Sequence, residues 1–289
     1  MPNRIQAGAI IALASAIIAL VLAGWLITPF DDNPAPLSDM QKSLGVGPRV
    51  SQLARQLAGV AGLQNPLTSS TSTAQPSFSH RNNFNTTSSF KEAVQHRRSI
   101  YQLTKKSPIA DDRIKEILTT AIEDVPSSFN SQSARLVVLL KEEHTKFWDI
   151  VTEILKALVP EDKWKHTGDR LDGFKNAYGT VLFYEDPDPI HDLQKKFPEY
   201  ADKFPQWSEH TSAMHQYMLW TAFESEGLGC NLQHYNPLPD ERAAAEWKIP
   251  LEWSLKAQLV FGEPQEGARE GLAEKSRKPV EDRLKIYGM

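Results

Sequence analysis

One cysteine, Cys230, in 289 residues excludes a disulfide framework and a paired-cysteine metal or redox site. It fits a reducing compartment. Several catalytic signatures are also missing: the chain has no GxSxG elbow, no Walker loop and no HExxH helix. His210 and His215 lie too far round one helix to share a zinc ion, so no metal site is expected. Gly227-Leu228-Gly229 is half a dinucleotide fingerprint, but it follows a helical pattern rather than a strand, which argues against a Rossmann site. The formal net charge is -4 and no basic stripe dominates, so nucleic acid is not an expected partner. Acidic residues are absent between Met40 and Lys91.

What is present divides the chain into three. From Ile5 to Ile27 it is almost wholly apolar. At about 1.5 Å per residue, such a run spans a hydrocarbon core of roughly 30 Å. Residues 1–30 are therefore expected to be an N-terminal transmembrane anchor, with a cleaved targeting segment as the alternative. Lys42, Arg49 and Arg55 favour a cytoplasmic catalytic side. The acid-poor stretch leaves a mitochondrial location as the alternative. Residues 31–88 are expected to be a polar, disordered linker. Within it, Val50, Leu53, Leu57 and Val60 could share one face of a short surface helix, and Asn85-Thr86-Thr87 is a glycosylation sequon. Residues 89–289 form the globular domain.

In that domain, Ser89 and Glu92 make a capping-box pattern opening a helix through about His96. Asp111 is expected to cap a second helix carrying Ile114, Ile117, Leu118, Ala121 and Ile122. Arg135–Lys141 reads as a buried strand. A third helix carries Phe147, Ile150, Val151, Ile154, Leu155 and Leu158, and Pro160 ends it. Thr180–Tyr184 is a second strand, stopped by Asp186-Pro187. Asp186 and Asp188 are expected to be solvated in a turn. Ser208–Glu226 is a long helix with an apolar middle, expected to be buried on every side in a core or a subunit interface, and Gly227 suits its C-terminal cap. Leu255–Phe261 is a third strand. The mixture lacks strict βαβ alternation and indicates an α+β fold. Cys230 reads as a small packing residue.

Two basic clusters flank this domain: Arg97-Arg98-Ser99 and Lys275-Ser276-Arg277-Lys278. Each mixes cations with a hydroxyl, the donor set that grips a phosphate. If the fold joins them, they form an anion site that neither makes alone. Between them lies the polar loop Pro126-Ser127-Ser128-Phe129-Asn130-Ser131-Gln132-Ser133.

Arg97-x-Ser99, Pro126-Ser127-Ser128-x-Asn130-x-Gln132, Glu226-Gly227-Leu228-Gly229-x-Asn231 and Lys275-x-Arg277 occur in that order. Together they resemble the FMN-dependent nitroreductase family, in particular its fungal branch associated with oxidative stress. The resemblance runs from about Ser89 to Tyr287. It implies a nitroreductase-like fold: a mixed sheet containing antiparallel strands, flanked by helices, in an intertwined homodimer. It further implies that Arg97, Arg98, Ser99, Lys275 and Arg277 hold the flavin phosphate and ribityl chain. Pro126, Ser127, Asn130 and Gln132 would reach in from the other subunit, and Gln233 and His234 would lie by the flavin ring. The flavin carries the chemistry. His234 is a candidate proton donor, with a pocket wall as the blander reading.

Two positions depart from the family pattern. Tyr101 stands where a basic residue usually follows R-x-S. Leu232-Gln233-His234-Tyr235 replaces the usual Pro-Ile-Glu-Gly or Pro-x-Gly-Gly beside flavin N5, where a backbone N–H of His234 or Tyr235 is expected to serve. The implied activity is reduction of nitroaromatic or quinone acceptors by NAD(P)H. The alternatives are a flavin-binding regulatory module with little turnover, and an anchored structural protein whose basic clusters meet acidic lipid.

Overall fold

The computed structural model describes residues 90–289. The expected anchor, linker, surface helix, sequon and Ser89 cap lie outside the described residues. Among the described residues, no helix is long and apolar enough to cross a membrane. In chain order the elements are α1 (Phe90–His96), β1 (Leu103–Thr104), α2 (Asp111–Asp124), a 3-10 turn (Ser128–Asn130), β2 (Ala134–Leu140), α3 (Lys141–Leu158) and α4 (Glu161–Lys175). They continue with β3 (Gly179–Glu185), α5 (Pro187–Lys196), a 3-10 turn (Pro198–Tyr200), α6 (Phe204–Ser225), β4 (Gly229–Gln233), α7 (Asp240–Trp247) and β5 (Ser254–Pro264).

β5 is the axis of the sheet. It pairs with β3 on one side and with β4 and β1 on the other, while β2 lies outside β3. Among the described residues every strand pairing is antiparallel, which corrects the expected mixed sheet. The only parallel contact among the described residues is a single bridge, Ser99 to Cys230. The register gives the reason: Leu140 pairs with Gly179, so the chain re-enters beside the residue where it left and must run back.

Both faces of the inner strands are covered, which is why β3 reads as a continuous apolar run. On one face Val181, Phe183, Ala257, Leu259, Phe261 and Cys230 pack with Ile114, Ile117 and Ala121 of α2 and with Leu219 and Phe223 of α6. On the other, the Thr180 hydroxyl accepts from Trp148 Nε1 at 3.0 Å and bonds His144 Nδ1 at 2.8 Å. The Trp148 ring lies 4.8 Å from Phe174 and 5.4 Å from Tyr235. Leu155–Asp169 falls outside the compact unit that holds the rest of the described residues. Within this segment Val159 N–H closes the α3 end on Leu155 O at 2.8 Å, and Lys165 pairs with Asp169 at 2.7 Å.

Several expectations change. Asp111 is the first residue of α2 rather than its cap; its carboxylate is taken by Lys141 at 2.7 Å and by the Tyr178 hydroxyl. β2 is an edge strand, with only Leu139 buried, because nothing pairs beyond it among the described residues. An open groove of about 430 Å³ follows, lined by Ile114, Leu118 and Ile122 of α2 and Leu136, Val138 and Leu140 of β2. It contains none of the predicted site residues. Asp186 is not solvated: it accepts from Asp188 N–H at 3.1 Å as the cap of α5 and pairs with Arg135 at 2.7 Å. A single chain alone does not cover α6 all round, which leaves a subunit interface as the remaining part of that expectation. Met214 and Tyr217 are 40% and 42% exposed, on a face of α6 that also leaves Ala213 open.

Gly262 fixes the junction of β5 with β1. A Cβ there would lie 2.6 Å from Thr104 O and 2.9 Å from Tyr178 N, both backbone atoms. Gly262→Ala should therefore cost about 2 kcal/mol through overpacking, read as a lower denaturant midpoint at unchanged slope.

Candidate functional site

The first basic cluster is positioned by a helix end and a strand. α1 closes with Arg97 N–H on Ala93 O at 3.1 Å. The chain then extends along β4: Ile100 N–H donates to Cys230 O at 2.8 Å, and Asn231 Nδ2 donates to Ile100 O at 2.8 Å. This pinning holds Ser99 against β4, with Arg97 and Arg98 between it and the end of α1. Cys230 is fully buried there, as expected of a packing residue, and burial pushes its thiol pKa well up.

The last turns of α6 lie against the same segment. The Arg97 guanidinium sits 4.4 Å over the Trp220 ring, a cation–π contact. Arg98 N–H donates to Glu224 Oε2 at 3.0 Å. Gly227, with φ of +90°, ends the helix in the left-handed conformation that glycine takes readily and lets Leu228 N–H close on Phe223 O at 3.1 Å.

The second cluster returns to the first. Arg98 Nη2 donates to Ala273 O at 2.6 Å, and Lys275 Nζ donates to Gln95 O at 2.7 Å. Burial and the neighbouring charges of Arg97, Arg98 and Arg277 lower the Lys275 pKa, against a smaller pull from Glu224. The four cations thus share one field. Among the described residues none of them forms an ion pair with a carboxylate. Glu224 instead pairs with Arg269 at 3.0 Å.

The loop expected to reach in from the other subunit lies apart from this cluster within one chain. Phe129 anchors it in an aromatic nest, stacked on Trp207 at 5.8 Å and packed on Phe197 and Phe204 at 5.0 and 5.3 Å. Ser127 Oγ accepts from Gln132 N–H at 2.9 Å. Phe129, Asn130 and Gln132 have φ of +55°, +53° and +46°. That conformation suits asparagine but strains phenylalanine. From Trp207 to Trp220, α6 advances roughly 20 Å. Within one chain, Pro126, Ser127, Asn130 and Gln132 therefore lie at the opposite end of α6 from Arg97.

The β4 side carries the residues expected beside the flavin ring. Gln233 is buried, donating to Asn231 Oδ1 at 2.8 Å, while His234 is exposed. Tyr235 N–H is already taken by Gln258 Oε1 at 2.7 Å, so of the two backbone donors considered for N5 only that of His234 is left without an intrachain bond among the described residues. Tyr101 is exposed at the departed basic position.

Sequence profiles provide the decision. The profile of the nitroreductase family matches residues 94–263.

The chain belongs to the nitroreductase family.

It is accordingly an oxidoreductase of the nitroreductase type. Two Saccharomyces cerevisiae proteins named as nitroreductases are similar. HBN1 is 37% identical over 61% of this chain and 88% of its own length, and FRM2 is 34% identical over 62% and 89%. These yeast relatives support the fungal branch. Among solved structures, the nitroreductase CinD from Lactococcus lactis, in complex with nicotinic acid, is 40% identical. It superposes with a TM-score of 0.63 over 69% of this chain and all of CinD.

Three residues that build this cation cluster were not among those expected to form it: Trp220, Glu224 and Arg269. Glu224 carried a signal, a carboxylate directly after the apolar run of α6 and one turn beyond Trp220. Arg269 carried none, because it lies in irregular chain.

His96 borders the cluster. Burial, then the Arg269 and Lys275 charges, lowers its pKa to about 4. As pH falls below 6.5, the unfolded chain takes a proton that the folded site refuses, so this contribution to stability is lost as pH drops towards about 4. His96→Gln should flatten the pH dependence by roughly 1 kcal/mol across that window, allowing for partial exposure. Denaturant midpoints in phosphate-free buffer at about pH 4.5 and 6.5 measure it.

Proposed function

We propose that this domain holds FMN and uses NAD(P)H to reduce nitroaromatic, quinone or related small acceptors as a homodimer. The observation that carries the reading is the return of the Ala273–Lys275 segment to the first cluster, with Arg98 Nη2 on Ala273 O and Lys275 Nζ on Gln95 O, which gathers the cations without a carboxylate ion pair among the described residues. A dianionic phosphate fits such a set, since charge-assisted bonds are strong and several donors converge. FMN held there would supply the electron-carrying chemistry between nicotinamide and acceptor. The chain itself binds and orients: the Arg97–Ser99 backbone and the Lys275–Arg277 segment hold the phosphate end, and the β4 loop at Gln233 and His234 walls the ring.

The exposed Ala213, Met214 and Tyr217 face of α6 supports a second copy packing on that helix. The placement of the Pro126–Gln132 loop at the far end of α6 supports its service to the partner's flavin. CinD, at 40% and 39% identity, has been solved with nicotinic acid, chloramphenicol and 4-nitrophenol, which supports a small aromatic acceptor. The apolar run from Ile5 to Ile27 supports tethering to a membrane with the domain on the cytoplasmic side. A flavin-binding module with little turnover is the second reading. Tyr101 and the engaged Tyr235 N–H favour it, since each removes a donor that would stabilise reduced flavin.

The purified protein should be yellow, and NADH or NADPH should bleach the flavin absorbance under anaerobic conditions. Yellow protein that neither nicotinamide bleaches supports the regulatory reading, and protein that takes up no FMN rejects both. Arg277→Ala should weaken FMN binding by roughly tenfold, the worth of one charge-assisted bond. Sedimentation at micromolar concentration should give twice the chain mass; a monomer that retains FMN would reject the loop's role in trans.

A further inference from the structure

Glu224 is fully buried, and three hydrogen-bond donors converge on it. Oε2 accepts from Arg98 N–H and from Arg269 Nη2, each at 3.0 Å; Oε1 accepts from Trp220 Nε1 at 2.9 Å. Each donor leads directly to the cation cluster. Arg98 N–H is part of the backbone that presents Arg97 and Ser99. Arg269 continues from Glu224 to His96 O at 3.2 Å, gripping the chain on the other side of Arg97. The Trp220 indole N–H also reaches Arg98 O at 3.2 Å, and its ring carries the Arg97 guanidinium. Glu224 itself is enclosed beneath the cluster.

We infer that Glu224 is a positioning residue for phosphate recognition: through Arg98 N–H, Trp220 and Arg269 it fixes the Arg97–Ser99 segment in the geometry that grips a terminal phosphate. The inference rests on the FMN reading and deepens it. A carboxylate is required because the donors need two acceptor oxygens. Glutamine in the same space has one oxygen, and its NH₂ would face a donor across a buried contact.

The geometry and the net charge make opposite predictions. As a point charge, Glu224 repels a phosphate, so removing it should tighten binding of an anion. As a positioning residue, its removal should loosen the grip. General damage to the domain would weaken flavins with and without phosphate alike.

The test is a fluorescence titration of the flavin-free, full-length protein with FMN and with riboflavin, which shares the ring and ribityl chain but lacks the phosphate. The wild type should prefer FMN. Glu224→Gln should lose about tenfold of that preference while riboflavin binding changes less than about twofold. Trp220→Phe keeps the carboxylate and an aromatic platform but removes the indole donor, and should lose about threefold in the same direction. If Glu224→Gln keeps or raises the preference for FMN, or weakens both flavins equally, the positioning role is overturned while the FMN reading stands. If that variant does not fold, the Trp220→Phe ratio decides in the same way. A wild type that does not distinguish FMN from riboflavin overturns the phosphate-grip reading, and the inference with it.

Discussion

A buried carboxylate joins three stretches of chain that the sequence keeps far apart. Glu224 bonds the backbone of Arg98, 126 residues away, and the guanidinium of Arg269, 45 residues away. An isolated carboxylate in such a place would cost several kcal/mol, so it persists only because charged and polar donors surround it. The same bonds satisfy groups that the surrounding backbone leaves open. What remains at the surface is an excess of positive charge held in a fixed frame. Such an excess raises the free energy of the unliganded protein and lowers that of an anion complex, which is how a binding site differs from a solvated charge run.

α6 sets the other dimension of the site. Its C-terminal end carries Trp220 and Glu224 under the cations; its N-terminal end carries Trp207 and Phe204 around Phe129. One helix thus separates two sets of residues that the family motif places in order along the chain. A helix cannot bend back to bring its ends together, so the two sets meet at one ligand only if a second chain supplies one of them. The open Met214 and Tyr217 face is the matching economy: apolar side chains that the monomer does not cover are available to pack on a copy.

Much of this was legible in the residues. The short apolar runs Thr180–Tyr184 and Leu255–Phe261 gave the two central strands, and the helical spacing of Ile114, Ile117 and Ala121 gave the face of α2 that meets the core. α4, α5, α7, β1 and β4 carry no pattern from which they were expected. β4 is five residues long and includes Asn231 and Gln233, whose side chains are buried only because they bond one another and Ile100 O. A short polar strand has no hydrophobic pattern to read. Asp111 and Asp186 show the same limit at single positions. Asp111 lies inside α2 and bonds Lys141 and Tyr178, while Asp186 both caps α5 and pairs with Arg135.

The sequence by itself determined the α+β class, the central strands, the long apolar helix with its glycine cap, and the two cation clusters with their family motifs. These depend on side-chain period and residue chemistry, which act over a few neighbours. Only the tertiary structure decided that Arg97 and Lys275 share one field, that the Pro126–Gln132 loop lies at the other end of α6, and that Glu224 and Arg269 lie beneath the cations. Those outcomes depend on β1 and β4 closing on β5, which brings Gln95 and Lys275 together across 180 residues. Contacts at that separation are fixed by the packing of the whole sheet, and no local pattern encodes them.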